Sequence, residues 1–81
     1  MKSDMIKNRI GECATLLGFQ CGGIDGYIDP FYIPETDSHE YVLFFAGASK
    51  TVYKLDDVMN TPFINGKTLN EAANEIEITE W

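Results

Sequence analysis

The apolar run from Tyr41 to Ala46 constrains the fold of this chain more than any other feature of the sequence. It is apolar on both alternating faces of an extended chain, which is typical of a strand that is covered on both sides or lies at the middle of a sheet. We therefore expect the hydrophobic core to be built around residues 41–46.

The length of the chain limits how much core it can build. It has 81 residues, of which 44% are hydrophobic and 23% are charged. A chain of this size forms one small domain that buries only about 60% of its unfolded surface, and its hydrophobic content is too high for a disordered chain. We expect a single domain over residues 1–81, with little room for an elaborate active site.

The N-terminal segment has the periodicity of an amphipathic helix. Its apolar residues follow the i, i+4, i+7, i+11 spacing of one helical face. These residues are Ile6, Ile10, Cys13 and Leu17. Gly18 is placed to end this helix in a left-handed conformation.

The next part of the chain is interrupted by glycine and proline. Three glycines in residues 22–26 predict a turn or bulge between short extended pieces. Residues 27–34 are aromatic and β-branched, but Pro30 and Pro34 cannot donate to a strand ladder, so we expect an edge strand or extended segment there. The polar residues 35–39 predict an exposed loop.

The C-terminal half predicts a hairpin and a second helix. Residues 47–50 supply a turn and residues 51–55 a strand that pairs with the central run, while residues 56–60 favour a short helical turn. Thr68 and Glu71 match a capping box that starts a helix. The apolar face of this helix is Leu69, Ala72, Ala73 and Ile76. We expect a two-layer α+β fold in which the N-terminal and C-terminal helices pack on a small antiparallel sheet of about three strands.

The segment from Phe63 to Glu71 resembles the ends of small uncharacterised proteins from prophages and mobile elements of Gram-positive bacteria. The resemblance is carried by the turn at Asn65-Gly66 and by the capping box after it. It implies an accessory, host-interacting or regulatory role.

The sequence contains no complete catalytic or ligand-binding motif. Gly66-Lys67-Thr68 matches the end of a phosphate-binding loop, but Thr61 stands where that motif requires its first glycine. Cys13 and Cys21 do not form a CxxC motif, so we expect free thiols, and His39 alone cannot build a histidine-based metal site. We therefore expect no enzyme, no catalytic residue, no cofactor and no metal.

The net charge of −7 favours some partners over others. The acidic excess lies in residues 19–49 and 69–81, and neither segment contains lysine or arginine. Acidic surfaces disfavour direct binding to nucleic acid and favour a protein with a basic surface, although acidity also keeps small domains soluble. The absence of an export signal or a long apolar run predicts a cytoplasmic protein without membrane contact.

Aromatic and acidic residues are interleaved between residues 25 and 41, as is typical of a surface that anchors and steers a basic partner. Aromatic rings also close small cores, and we expect Phe31 and Tyr41 to do so. The candidate partner-binding residues are Asp25, Tyr27, Asp29, Tyr32, Asp37 and Glu40.

The sequence thus predicts a small non-enzymatic protein-binding or regulatory module. Two alternatives stay open. One is an acidic mimic of nucleic acid that inhibits a DNA-binding or RNA-binding protein. The other is a small homo-oligomeric structural protein that pairs through an exposed strand edge.

Overall fold

The computed structural model describes residues 2–11 and 16–80, which form an α+β fold. The elements are α1 (Lys2–Gly11), β1 (Leu17–Cys21), β2 (Ile24–Ile33), β3 (Ser38–Phe45), β4 (Ala48–Val52), α2 (Leu55–Asn60), α3 (Leu69–Ala72) and β5 (Glu77–Glu80). All strands pair antiparallel in the order β4-β3-β2-β1-β5.

The described sheet has five strands, so the expectation of about three was wrong. β1 was not predicted because Leu17 continues the helical spacing of Ile6 and Ile10 and was therefore expected to be buried as part of the helix. In the structure Leu17 is a buried residue of β1, and Gly18, where the helix was expected to end, lies in the same strand. Cys13, which was placed on the same helical face, lies outside the described residues.

The proline-containing segment forms β2, which is the middle strand and not the expected edge strand. Its pairing explains how this position accepts Pro30. β1 pairs with β2 only as far as Ile28, whereas β3 pairs with it as far as Ile33. One side of β2 is therefore open at Pro30, and a missing N–H on that side removes no ladder hydrogen bond.

The hairpin of β3 and β4 is confirmed, with a turn that is tighter than expected. Phe45 pairs directly with Ala48, so the loop is only Ala46-Gly47. Both loop residues have positive φ angles, 54° and 83°, as a two-residue turn between twisted strands requires. His39, expected in a loop, belongs to β3 because the preceding turn already ends at Asp37.

The C-terminal helix begins as predicted. The Glu71 N–H donates to Thr68 Oγ1 at 3.2 Å, and the Thr68 N–H donates to Glu71 Oε1 at 2.9 Å, which confirms the capping box. The helix ends at Ala72, earlier than the apolar spacing suggested, yet all four residues of the predicted face are buried. The chain then turns into β5, which the sequence did not predict.

One core cluster joins the helices to a single side of the sheet. Ile6 and Ile10 of α1 belong to it, as do Val58 and Met59 of the predicted short helix α2. Tyr41 lies in the same core, as expected. Cys21 is a free, half-buried thiol that packs against this cluster. The strand residues of this cluster all lie on one side of the sheet, and no described strand residue of the opposite side belongs to it.

Candidate protein-binding face

The sheet presents two faces that differ in their surroundings. Residues paired across neighbouring strands lie on the same face, and residues alternate between faces along each strand. Ile28, Leu43 and Phe45 are buried against the helices on what we call the inner face. The opposite positions form the outer face. It consists of Gly18 and Gln20 of β1; Asp25, Tyr27, Asp29, Phe31 and Ile33 of β2; Ser38, Glu40, Val42 and Phe44 of β3; Ser49 and Thr51 of β4; and Glu77 and Glu80 of β5.

The outer face is charged with one sign only. Five carboxylates occupy its positions, and within the described strands no lysine or arginine lies among them. Among lysines and arginines, Lys50 alone lies in a described strand. It pairs with Leu43 of the inner face, and its Nζ donates to the Pro62 carbonyl at 2.9 Å. The acidic excess of the sequence is therefore concentrated on the outer face of the sheet.

The helical side carries charges of both signs, some of them in pairs. Lys7 Nζ lies 3.0 Å from Asp56 Oδ1, between α1 and α2. Lys67 Nζ lies 2.9 Å from Glu75 Oε2, and this contact raises the pKa of the lysine. Such exposed pairs contribute little to stability. The helical side therefore carries both lysines and carboxylates, whereas the charged residues of the described outer face are all carboxylates.

An aromatic pair lies among the carboxylates. Tyr27 and Phe44 face each other across β2 and β3, with ring centroids 4.8 Å apart and planes inclined by 13°. Both rings are only half-buried. Asp25 and Asp29 lie two residues to either side of Tyr27, about 6.6–6.8 Å away along the strand. Gln20 Nε2 donates to Asp25 Oδ1 at 2.8 Å, which fixes this carboxylate beside the pair.

The structure brings four of the six candidate residues together on the outer face and places the other two elsewhere. Tyr32 has inner-face parity but lies at the hairpin tip, where its side chain is 50% exposed. Its hydroxyl donates to Asp37 Oδ1 at 2.7 Å, and this bond raises the pKa of the tyrosine. The ring of His39 is 5.2 Å from that of Tyr32 and 6.4 Å from that of Tyr41. Tyr32 and Asp37 thus form a separate cluster at the tip.

Several outer-face residues were missed by the sequence analysis. Phe31, expected in the core, is 46% exposed, so that expectation was wrong. Val42 and Phe44 were expected in a strand that is covered on both sides or lies at the middle of a sheet, and the acids of β5 were not predicted to lie in a strand. The period of two from Asp25 through Tyr27 and Asp29 reaches Phe31 and not Tyr32, and this signal was available in the sequence.

The hairpin of β2 and β3 extends beyond its neighbours. β4 pairs with β3 only as far as Tyr41, and β1 ends opposite Ile28. Residues 31–40 therefore form a two-stranded arm with open sides. Its outer side carries Phe31 and Glu40, which continue the outer face past the body of the sheet.

The described residues contain no group of three His, Cys, Asp or Glu side chains that could hold a metal ion. No helix in the described part of the chain is long and apolar enough to cross a membrane. Comparison with protein-family models, curated proteins and solved structures gives no match.

Proposed function

We propose that the protein is a small non-enzymatic binding or regulatory module that docks a partner protein with a basic surface on its outer face. The observation that carries this proposal is the concentration of carboxylates, without a described cation, around the Tyr27 and Phe44 rings. Half-exposed aromatic rings supply contact area at protein interfaces, and carboxylates around them steer and align a basic partner.

Acidity that serves solubility alone does not require this arrangement. Charges that only keep a domain soluble act wherever they lie on its surface. Here they share one sheet face with Val42, Phe31 and the aromatic pair, so the same surface attracts cations and offers apolar contacts. This combination suits a partner that is both basic and partly apolar, and it disfavours nucleic acid and anionic membranes as direct ligands.

The experiment is a comparison of two charge-reversal variants as baits in extracts of the native host. Asp29→Lys/Glu40→Lys changes the outer face, and Glu35→Lys/Asp57→Lys changes the net charge equally at exposed positions off that face. We expect proteins captured by the unaltered chain to be lost with the first variant and retained with the second. Equal capture by both variants, or equal loss, would overturn the proposal.

A mimic of nucleic acid is the second candidate, because a cation-free acidic face also suits a protein that normally binds phosphates. The two candidates differ in what holds the partner. Binding to a mimic is displaced by the nucleic acid that the partner binds and weakens steeply with salt. Docking through Tyr27 and Phe31 depends on apolar contact, so Phe31→Ser weakens it at high salt as well as at low salt.

A homo-oligomeric structural role is the third candidate, and the strand β4 is the observation that supports it. β4 is an edge strand and is exposed at every position except Val52, so it offers a free ladder edge to a second copy. Light scattering over a range of concentrations tests this role, and a monomer at high concentration removes it.

We place this activity in the cytoplasm, in keeping with the accessory, host-interacting role that the resemblance to prophage and mobile-element proteins implies.

A further inference from the structure

We infer that the outer face receives a single amphipathic helix of the partner, with lysine or arginine flanking its apolar stripe. This inference rests on the proposed function and specifies the form of the ligand. It is drawn from the width, length and side-chain pattern of one part of the outer face, which we call the track. The track is the outer side of β2 and β3 from the Tyr27 and Phe44 pair to the Ile33 and Ser38 pair.

The track carries apolar residues along its whole length and acids on both of its edges. Every cross-strand pair in it contains at least one apolar side chain. Asp29 lies on β2 opposite Val42, whereas Glu40 lies on β3 opposite Phe31. The two carboxylates therefore lie on different strands, on either side of the apolar residues. A ligand that matches them has an apolar stripe with cations on both sides.

The width of the track favours a helix over a second sheet. Beyond Ile28 on β2 and Tyr41 on β3 no described strand pairs with the hairpin, so the last two of the four cross-strand pairs lie on a ribbon two strands wide, whereas β1 and β4 flank the first pair. Two strands are about 4.8 Å apart, and a helix about 10 Å in diameter can cover them. A sheet buries its face against several strands, so most of a second sheet would remain uncovered on this ribbon.

The length and spacing of the track also fit a helix. Its four cross-strand pairs are about 6.6–6.8 Å apart, which gives a length of about 20 Å. A helix covers this length with about 13 residues, and its residues four apart rise by about 6 Å. Apolar residues in an i, i+3, i+4, i+7 pattern therefore have nearly the same spacing as the cross-strand pairs, and each turn of the helix can contact the apolar side chain of one pair.

Charge argues against a second copy of this chain as the occupant. A copy seated face to face would bring Asp29 and Glu40 towards the carboxylates of its own kind, and the face has no described cation to compensate them. Repulsion between like charges is costly at an interface. Cations must therefore come from a partner that differs from this face.

The test uses two synthetic peptides of about 18 residues with the same numbers of leucine and lysine. One has leucine at helical i, i+3, i+4, i+7 spacing, and the other alternates leucine and lysine as a strand does. Each is titrated into 15N-labelled protein. We expect the helical peptide to bind at least tenfold more tightly and to shift amide signals of β2 and β3 more than those of α1 and α2.

Matched variants show whether the helical peptide binds through the apolar residues of the track or through charge alone. We expect Phe31→Ser to weaken the helical peptide severalfold and Tyr53→Ser, which alters an aromatic residue that is 64% exposed and off the track, to leave it unchanged. Equal affinity for both peptides, shifts centred on the helices, or no effect of Phe31→Ser would overturn the inference. If host partners still distinguish Asp29→Lys/Glu40→Lys from its control, the proposed function survives that result and only the helical ligand is excluded.

Discussion

The inner and outer faces of this sheet are built from the same strands, and each carries a pair of stacked aromatic rings, but the two pairs differ in burial. On the inner face the Phe19 ring is fully buried, stacked on Phe45 with centroids 6.1 Å apart and touched edge-on by Phe63 at 6.2 Å. On the outer face Tyr27 and Phe44 stack more closely, at 4.8 Å, but remain half-exposed. The difference lies in what covers each pair.

Successive residues of one strand point to opposite faces of the sheet, so the same strand contributes to a buried face and to an exposed face. Burial of apolar surface against helices stabilises the inner face by roughly 25 cal/mol per Å² removed from water. The outer rings leave much of that gain unrealised until another surface covers them. The inner face therefore stabilises the fold, whereas the outer face keeps apolar area partly exposed to solvent.

Leu43→Ala is the change with the largest expected effect, and Val42→Ala is its neighbour on the opposite face. Leu43 is completely buried, so its truncation is expected to lower the free energy of unfolding by about 2–5 kcal/mol. Val42 is half-buried, and we expect a loss of about 1 kcal/mol or less. Urea unfolding of both variants measures the difference. Equal losses would mean that the outer face contributes to the fold as a second core.

Two glycines in adjacent strands extend the comparison to backbone packing. A Cβ at Gly26 on the inner face would lie 2.5 Å from Phe19 Cζ and 2.8 Å from the Phe44 carbonyl oxygen. A Cβ at Gly18 on the outer face would lie 3.2 Å from Glu80 Cβ, on an edge strand. We expect Gly26→Ala to cost about 1–3 kcal/mol and Gly18→Ala less, as measured by thermal unfolding.

A double variant identifies the origin of the Gly26 effect. Because the Phe19 ring is the nearest obstacle, Phe19→Leu combined with Gly26→Ala is expected to lose less stability than the sum of the two single changes. Simple additivity would show that the backbone contact with the Phe44 carbonyl is the main obstacle.

Charge reversal on the outer face is expected to affect stability only slightly. Asp29 and Glu40 lie on the outer face and outside the core cluster, so Asp29→Lys/Glu40→Lys should change the free energy of unfolding by less than about 1 kcal/mol. Circular dichroism and urea unfolding measure this change. A loss as large as that of Leu43→Ala would show that these carboxylates belong to the fold, and the contrast between the faces would break down.

The elements that the sequence predicted well are those encoded by neighbouring residues. The capping box of Thr68 and Glu71, the short helix before Pro62 and the turn at Gly22 and Gly23 each depend on local geometry. Their hydrogen bonds and φ angles are set within a few residues, so a local pattern contains enough information to place them.

The elements that were missed depend on pairing between distant segments. β1 and β5 complete the sheet by pairing with each other, and neither Leu17 nor Ile78 signals that partner locally. Pro30 favoured an edge strand in the sequence. It is accepted in the central strand because β1 ends before it and leaves that side of β2 unpaired there. The same limit applied to the candidate site, because membership of one face follows from the register of β2 with β3 and not from closeness in sequence.

The smallest expected effect on stability comes from a change at Glu71, whose carboxylate accepts a hydrogen bond in the capping box of α3. Hydrogen bonds from Thr68 hold the pKa of Glu71 below its ordinary value of 4.5. A carboxyl group with a lowered pKa in the folded state contributes stability that is present above its unfolded pKa and is lost as the pH falls through the folded value. Glu71→Gln keeps an acceptor in the capping box but does not titrate. We therefore expect the variant to be slightly less stable than the unaltered protein at pH 7, and the difference to shrink in urea unfolding as the pH is lowered from 7 to below 4.5. A difference that stays constant over this range would mean that the charge of Glu71 adds nothing to the cap.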